Sequence, residues 1–148
     1  MTVGLNMVSG VVKTEAFILV AEDDPDDRLI IKAAFDAEGT SNTLHFVADG
    51  EELMGYLKKS LNIDKQLLPR ILILDLNMPK KDGRRALWEI RQDPTLRHLT
   101  VVVLTTSSAE RDFEYCSRLG ISDFIIKPNS FDEFIRLAKS INRICAAA

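Results

Sequence analysis

Four short stretches of this chain are apolar without interruption: Phe17-Ile18-Leu19-Val20-Ala21, Ile71-Leu72-Ile73-Leu74, Val101-Val102-Val103-Leu104 and Phe124-Ile125-Ile126. A strand with one wet face alternates apolar and polar residues. A run with no polar member predicts a strand covered on both faces, as in parallel sheets. Leu44-His45-Phe46-Val47 reads as a further, weaker strand. The segments between them carry a helical period instead. After Pro25, which suits a first helical turn, Leu29, Ile30, Ala33, Ala34 and Ala37 share a face, and Gly39 ends the helix. Leu53, Met54 and Leu57 mark a helix over residues 51–59, and residues 60–70 read as a polar connection ending in Pro69. Ala86, Leu87 and Ile90 mark a helix over 83–92, broken at Asp93-Pro94. Ser107 with Glu110, and Ser130 with Glu133, have capping-box spacing. They predict helices reaching residue 119, before Gly120, and residue 144.

Five strand–helix units of this kind predict an α/β chain with helices on both faces of a parallel sheet. The expected fold is flavodoxin-like and doubly wound, (βα)5, with strand order 2-1-3-4-5. Such sheets place their sites beyond the carboxyl ends of the strands, at the switch point between strands 1 and 3. The 148 residues fit one domain. Residues 1–14 are expected to be a flexible tail and 15–148 the folded domain. Net charge is −3 with no basic run, which argues against binding nucleic acid. Cys116 and Cys145 are far apart in sequence and read as reduced thiols. No basic-then-apolar leader occurs, and no apolar run approaches the about 20 residues of a membrane span. The expectation is a soluble, cytoplasmic protein that does not engage a membrane.

The strand ends carry the chemistry. The first strand runs into Glu22-Asp23-Asp24, the third into Asp75, the fourth into Thr105 and the fifth into Lys127-Pro128. In the expected order the carboxylates of strands 1 and 3 converge. Several carboxylates brought together repel unless a cation joins them. Mg²⁺ suits such oxygen donors and keeps open positions for a phosphoryl oxygen. A lysine ammonium and a threonine hydroxyl can take the other phosphoryl oxygens. The set fits transfer of a phosphoryl group onto a carboxylate by positioning and charge stabilisation. Each residue has a plainer reading alone: Asp23, Asp24, Asp26 and Asp27 could simply cap a helix and complement its dipole. The four strand ends together outweigh that reading.

These residues, with the block Asp75-Leu76-Asn77-Met78-Pro79 and Asp82-Gly83, resemble the receiver domain of two-component response regulators over residues 16–144. The resemblance implies that Asp75 accepts phosphate from a phosphohistidine of a sensor histidine kinase. It implies that Asp23 binds Mg²⁺ directly, Glu22 binds it through water and Asn77 offers its backbone carbonyl. Lys127 would pair with Asp75 and then with the phosphoryl group. Thr105 would move to bond the phosphate, and Phe124, at the aromatic switch position, would turn inward with it. A cis Lys127–Pro128 bond is also implied. Many receivers carry Asp where this chain has Glu22. The stretches 74–84, 101–108 and 60–70 are similar to the stand-alone regulators that partner bacterial phytochrome kinases. That likeness implies phytochrome light signalling and a homodimer through the fourth helix, fifth strand and fifth helix. With no output domain expected after Ile144, the same surface would meet an unidentified downstream protein. Phe113, Tyr115, Phe131 and Phe134 fall there by sequence.

Other readings are weaker. A phosphatase of the haloacid-dehalogenase class wants a second Asp where Asn77 stands. A flavin-binding flavodoxin wants a hydroxyl-rich loop after the first strand, where this chain has Glu22-Asp23-Asp24-Pro25. No phosphate-binding GxxxxGK[ST] loop occurs. A receiver acting as a phosphate sink or relay intermediate fits the sequence as well as an output regulator. His45 and His98 stand outside any metal-ligand spacing.

Overall fold

The structure, a computed structural model, describes residues 5–8, 11–14, 17–39 and 42–147. Within the stretch expected to be a tail, β1 (Leu5–Val8) pairs antiparallel with β2 (Val11–Thr14), apart from the main sheet. The main sheet is parallel and holds β3 (Phe17–Ala21), β4 (Thr43–Val47), β5 (Ile71–Leu74), β6 (Val101–Thr105) and β7 (Asp123–Ile126). Its order is β4-β3-β5-β6-β7. Counting only these five strands, that is 2-1-3-4-5, the expected flavodoxin-like winding.

The helices are α1 (Pro25–Glu38), α2 (Gly50–Ile63), α3 (Gly83–Gln92), α4 (Glu110–Arg118) and α5 (Phe131–Ala147). Alternate side chains of the three inner strands feed two cores. Leu19, Leu72, Leu74, Val101 and Val103 pack with Leu53, Leu57, Leu87, Ile90 and Cys116, the side of α2, α3 and α4. Ile18, Val20, Ile71, Ile73 and Val102 pack with Ile31, Phe35, Leu137 and Ile141, the side of α1 and α5. β3, β5 and β6 are buried throughout, as their unbroken apolar runs require.

Several expectations need correction. Of the residues expected to form the apolar face of α1 only Ala34 is buried; Leu29 is 68% exposed, and Ile31 and Phe35 face the core instead. The run in β7 is not covered on both faces: β7 is an edge strand, and Ile126 is 46% exposed. The connection over residues 60–70 is partly helical, because α2 continues to Ile63 and a 3-10 turn spans Lys65–Leu67. Within α2 the Ser60 hydroxyl donates to the Tyr56 carbonyl one turn earlier (2.9 Å). Ser107 does not cap α4. That helix begins after Ala109 with no side-chain cap, and the Ser107 hydroxyl is bonded to Asp112 instead. The second box does form its forward bond, from the Glu133 N–H to Ser130 Oγ (3.2 Å). Asp24 caps α1 through the Asp26 N–H (2.8 Å).

Candidate functional site

Sheet register gathers the strand-end residues. Ala21 pairs with both Val47 and Leu74, and Leu74 with Val103. Glu22 and Asp75 therefore leave adjacent strands side by side. The Asp75 N–H still donates to the Ala21 carbonyl (3.1 Å), and the Glu22 N–H to that of Val47 (3.0 Å). Thr105 pairs with Ile126, and the Lys127 N–H donates to the Thr105 carbonyl (2.8 Å). Gly83 lets the start of α3 press against this edge. A Cβ there would lie 2.2 Å from the Asp75 carbonyl oxygen, so any side chain forces the backbone apart.

Glu22, Asp23 and Asp75 each offer a carboxylate oxygen, and these oxygens lie within 4.8 Å of one another. Glu22 and Asp75 are buried, and Asp23 is exposed. A set of oxygen donors, partly open to water, fits a hard divalent cation. The Lys127 ammonium contacts three carboxylates: Glu22 (2.7 Å), Asp27 (2.7 Å) and Asp75 (3.0 Å). Burial alone would lower the Lys127 pKa. The bonds to Asp27, Glu22 and Asp75 outweigh it and hold the group above the usual lysine range. Burial pushes the Glu22 carboxyl up to about 7, against the pull of Lys127 and the Asp24 N–H.

Asp75 Oδ1 accepts from the Asn77 N–H (3.1 Å), which fixes the carboxylate from the loop side. Thr105 is fully buried, and its hydroxyl oxygen accepts from the Ser107 N–H (3.2 Å). Phe124 is half-buried, with its ring edge-to-face against Phe113 at 5.5 Å. Of the aromatics assigned to the α4–β7–α5 face, Phe113 and Phe131 are exposed, Tyr115 is half-buried and Phe134 is buried. The Lys127–Pro128 bond is trans, not cis. The two forms of such a bond differ by only about 0.5–1 kcal/mol, so sequence alone does not fix the choice.

Two features escaped sequence reasoning. Asp27 reads locally as a helix-start acid, yet its side chain reaches Lys127, 100 residues away. Arg84 binds Asp112 through both carboxylate oxygens (2.6 and 2.7 Å) and also bonds Asp82 (2.9 Å). The Tyr115 hydroxyl donates to the Arg84 carbonyl (3.3 Å), so α4 is tied twice to the start of α3. The Arg84 guanidinium holds the Asp112 carboxyl down at about 2. Arg84 and Asp112 are distant in sequence, and no local pattern announces such a pair.

The arrangement is a phosphoryl-signalling architecture: a doubly wound sheet with an acidic, cation-ready pocket and a buried lysine at its switch point. Residues 18–139 match the family described as "Response regulator receiver domain", and the chain belongs to it. It is 32% identical to "Response regulator Rcp1" of Synechocystis sp. over 124 residues, 84% of each chain. The solved Mn²⁺-bound form of Rcp1 aligns with a TM-score of 0.76 at 31% identity, covering 86% of this chain and 91% of that one. The phosphorylated cyanobacterial phytochrome response regulator RcpA aligns at TM-score 0.79 and 33% identity, covering 89% and 94%. "Probable methanogenesis regulatory protein FilR2" of Methanothrix harundinacea is 33% identical over 84% of this chain and 79% of its own. Membership implies a histidine-kinase phosphodonor and a divalent metal at the acidic pocket. Among the described residues no helix is long and apolar enough to cross a membrane.

Proposed function

We propose that Asp75 is the phosphoacceptor and that residues 15–148 form the receiver unit, with 1–14 an appendage to it. The observation carrying this reading is the Asp75 carboxylate itself. It is buried at the switch point, bonded to Lys127 at 3.0 Å and clustered with Glu22 and Asp23. Glu22, Asp23, Asp75 and the Asn77 carbonyl would hold Mg²⁺, which supplies positive charge against the phosphoryl oxygens and lets the acids coexist. An Asp75 carboxylate oxygen attacks phosphorus. A P–O bond forms, the P–N bond to the donor imidazole breaks, and the imidazole leaves with the electron pair and takes a proton. The Asn77 N–H keeps Asp75 oriented, Lys127 balances charge gathering on the phosphoryl oxygens, and the Thr105 hydroxyl turns to donate to one of them. The only reactions the chain promotes are its own phosphorylation and dephosphorylation.

Phosphorylation adds nearly two negative charges at Asp75. Thr105 moving toward them gives up its bond from Ser107, and Phe124 follows, leaving Phe113. The signal leaves through α4, β7 and α5, where a second copy and a downstream protein bind. Exposed Phe113 (52%) and Ile126 (46%) support that surface. The donor is a phytochrome-type kinase and the pathway light signalling, in line with the likeness to Rcp1 and RcpA. Two free, buried cysteines suit a cytoplasmic setting.

Intact-mass analysis after incubation with acetyl phosphate and Mg²⁺ tests the acceptor. One phosphoryl group is expected, lost on chelation and absent in Asp75→Asn. An equal gain in that variant overturns the assignment. Transfer from a phosphorylated phytochrome-type kinase tests the donor. Sedimentation of wild type and Phe113→Glu with and without phosphate tests the dimer.

A further inference from the structure

An ammonium has three N–H donors and no acceptor. Lys127 faces three carboxylates: it hydrogen-bonds Asp27 and Asp75 and pairs with Glu22 at 2.7 Å. On the reading above, two of these partners change during the reaction. Asp75 becomes esterified, and Glu22 belongs to the metal set. Asp27 belongs to neither. It sits in the first turn of α1, on a backbone fixed by the Asp24 cap and by Pro25. Asp27 is therefore the partner of the ammonium that neither the acceptor role nor the acidic cluster claims.

We propose that Asp27 is a positioning residue for phosphoryl transfer, holding the Lys127 ammonium at the reacting edge while its other two partners change. The inference rests on Asp75 being the acceptor. Lysine is a flexible four-carbon stem bearing a point charge, and it positions poorly unless held. Here there is somewhere for it to go. Asp27 and Lys127 border a depression of about 310 Å³ shared with Ile30, Thr106, Pro128 and Phe131. The Lys127 side chain is only 10% exposed as it stands, with its ammonium 2.7 Å from Asp27 of α1. Without Asp27 the ammonium can turn toward that water. The plainer role of Asp27, an acid complementing the α1 dipole, would affect stability and leave transfer untouched.

The test is the initial rate of phosphorylation by acetyl phosphate at saturating Mg²⁺, followed by intact mass across donor concentrations. Wild type, Asp27→Asn and Asp27→Glu are compared, with Asp75→Asn as the blank and thermal melts to confirm folding. Asp27→Asn is expected to lower the maximal rate about tenfold with little change in donor KM, since misplacing a catalytic charge costs rate and not binding. Asp27→Glu, which keeps the carboxylate, is expected to recover at least part of the loss. A folded Asp27→Asn that is phosphorylated at the wild-type rate or faster overturns the inference alone. A wild type that takes no phosphoryl group overturns the Asp75 reading and this inference with it.

Discussion

Lys127 and Arg84 are both cations set among carboxylates beyond the carboxyl ends of the strands, and their surroundings are balanced in opposite ways. Arg84 meets Asp112 through a bidentate pair and Asp82 through a third bond, and Ser107 donates to Asp112 as well. There the cation wins over burial, and Asp112 is held down at about 2. Lys127 is shared by Glu22, Asp27 and Asp75, with Asp23 close by, so one positive charge faces four negative ones. There burial wins and Glu22 rises to about 7. A matched centre ties elements together. An unmatched one stores a demand for positive charge, which is what a cation-binding, phosphoryl-accepting pocket needs.

The contrast breaks most readily at Arg84. Arg84→Met leaves Asp112, with a side chain 8% exposed, holding only the Ser107 hydroxyl. Stranding the buried acid of this half-exposed pair costs about 2–3 kcal/mol, below the full cost for a buried pair, and the expected Tm fall is roughly 4–12 °C. Urea unfolding without metal checks this. A loss under 1 kcal/mol would mean that α4 is held by packing and that the knot is incidental.

Acid supplies the second test. The folded Asp112 carboxyl lies at about 2, against an ordinary value of 3.8. The depressed group contributes stability that is complete above pH 4 and is lost as pH falls through 2. The contribution is about 2 kcal/mol. In Asp112→Asn this part of the acid dependence should vanish, while the rest of the curve keeps its shape. A variant that loses stability between pH 4 and 2 as steeply as wild type refutes the assignment.

How much of this was readable beforehand follows from the range of each interaction. β3, β5 and the helix Gly83–Gln92 were legible to the residue, because unbroken apolar runs and helical spacing are local signals. That Glu22, Asp23, Asp75, Thr105 and Lys127 gather at one edge of the sheet was legible because a parallel sheet turns strand ends into one surface. The edge position of β7 followed from the order, but its exposure was masked by Phe124-Ile125-Ile126, which looks like an inner strand. The Ser107 box misled because the Ser107 hydroxyl has a partner in Asp112, which the capping-box spacing does not reveal. Asp27 and Arg84 were illegible for one reason: each is defined by a partner from another element.

The smallest expected effect sharpens the other half of the comparison. If the Lys127 centre is short of positive charge, removing one of its negative charges should stabilise the metal-free fold. Glu22→Gln does this with little change in shape, and the amide oxygen can still accept from the Asp24 N–H, which lies 3.1 Å from the carboxylate. The variant loses an ionic contact with Lys127, but that ammonium keeps Asp27 and Asp75. It also ends the cost of burying the Glu22 charge beside Asp75. A gain of about 1 kcal/mol is expected in chelator. Adding Mg²⁺ should reverse the ranking, because a ligand stabilises only the form that binds it, and wild type keeps the full donor set. Melts of both proteins with and without Mg²⁺ read this as a crossing of the two Tm values. If Glu22→Gln is less stable than wild type in chelator, the Lys127 centre is a matched ion cluster like that of Arg84, and the distinction between them fails.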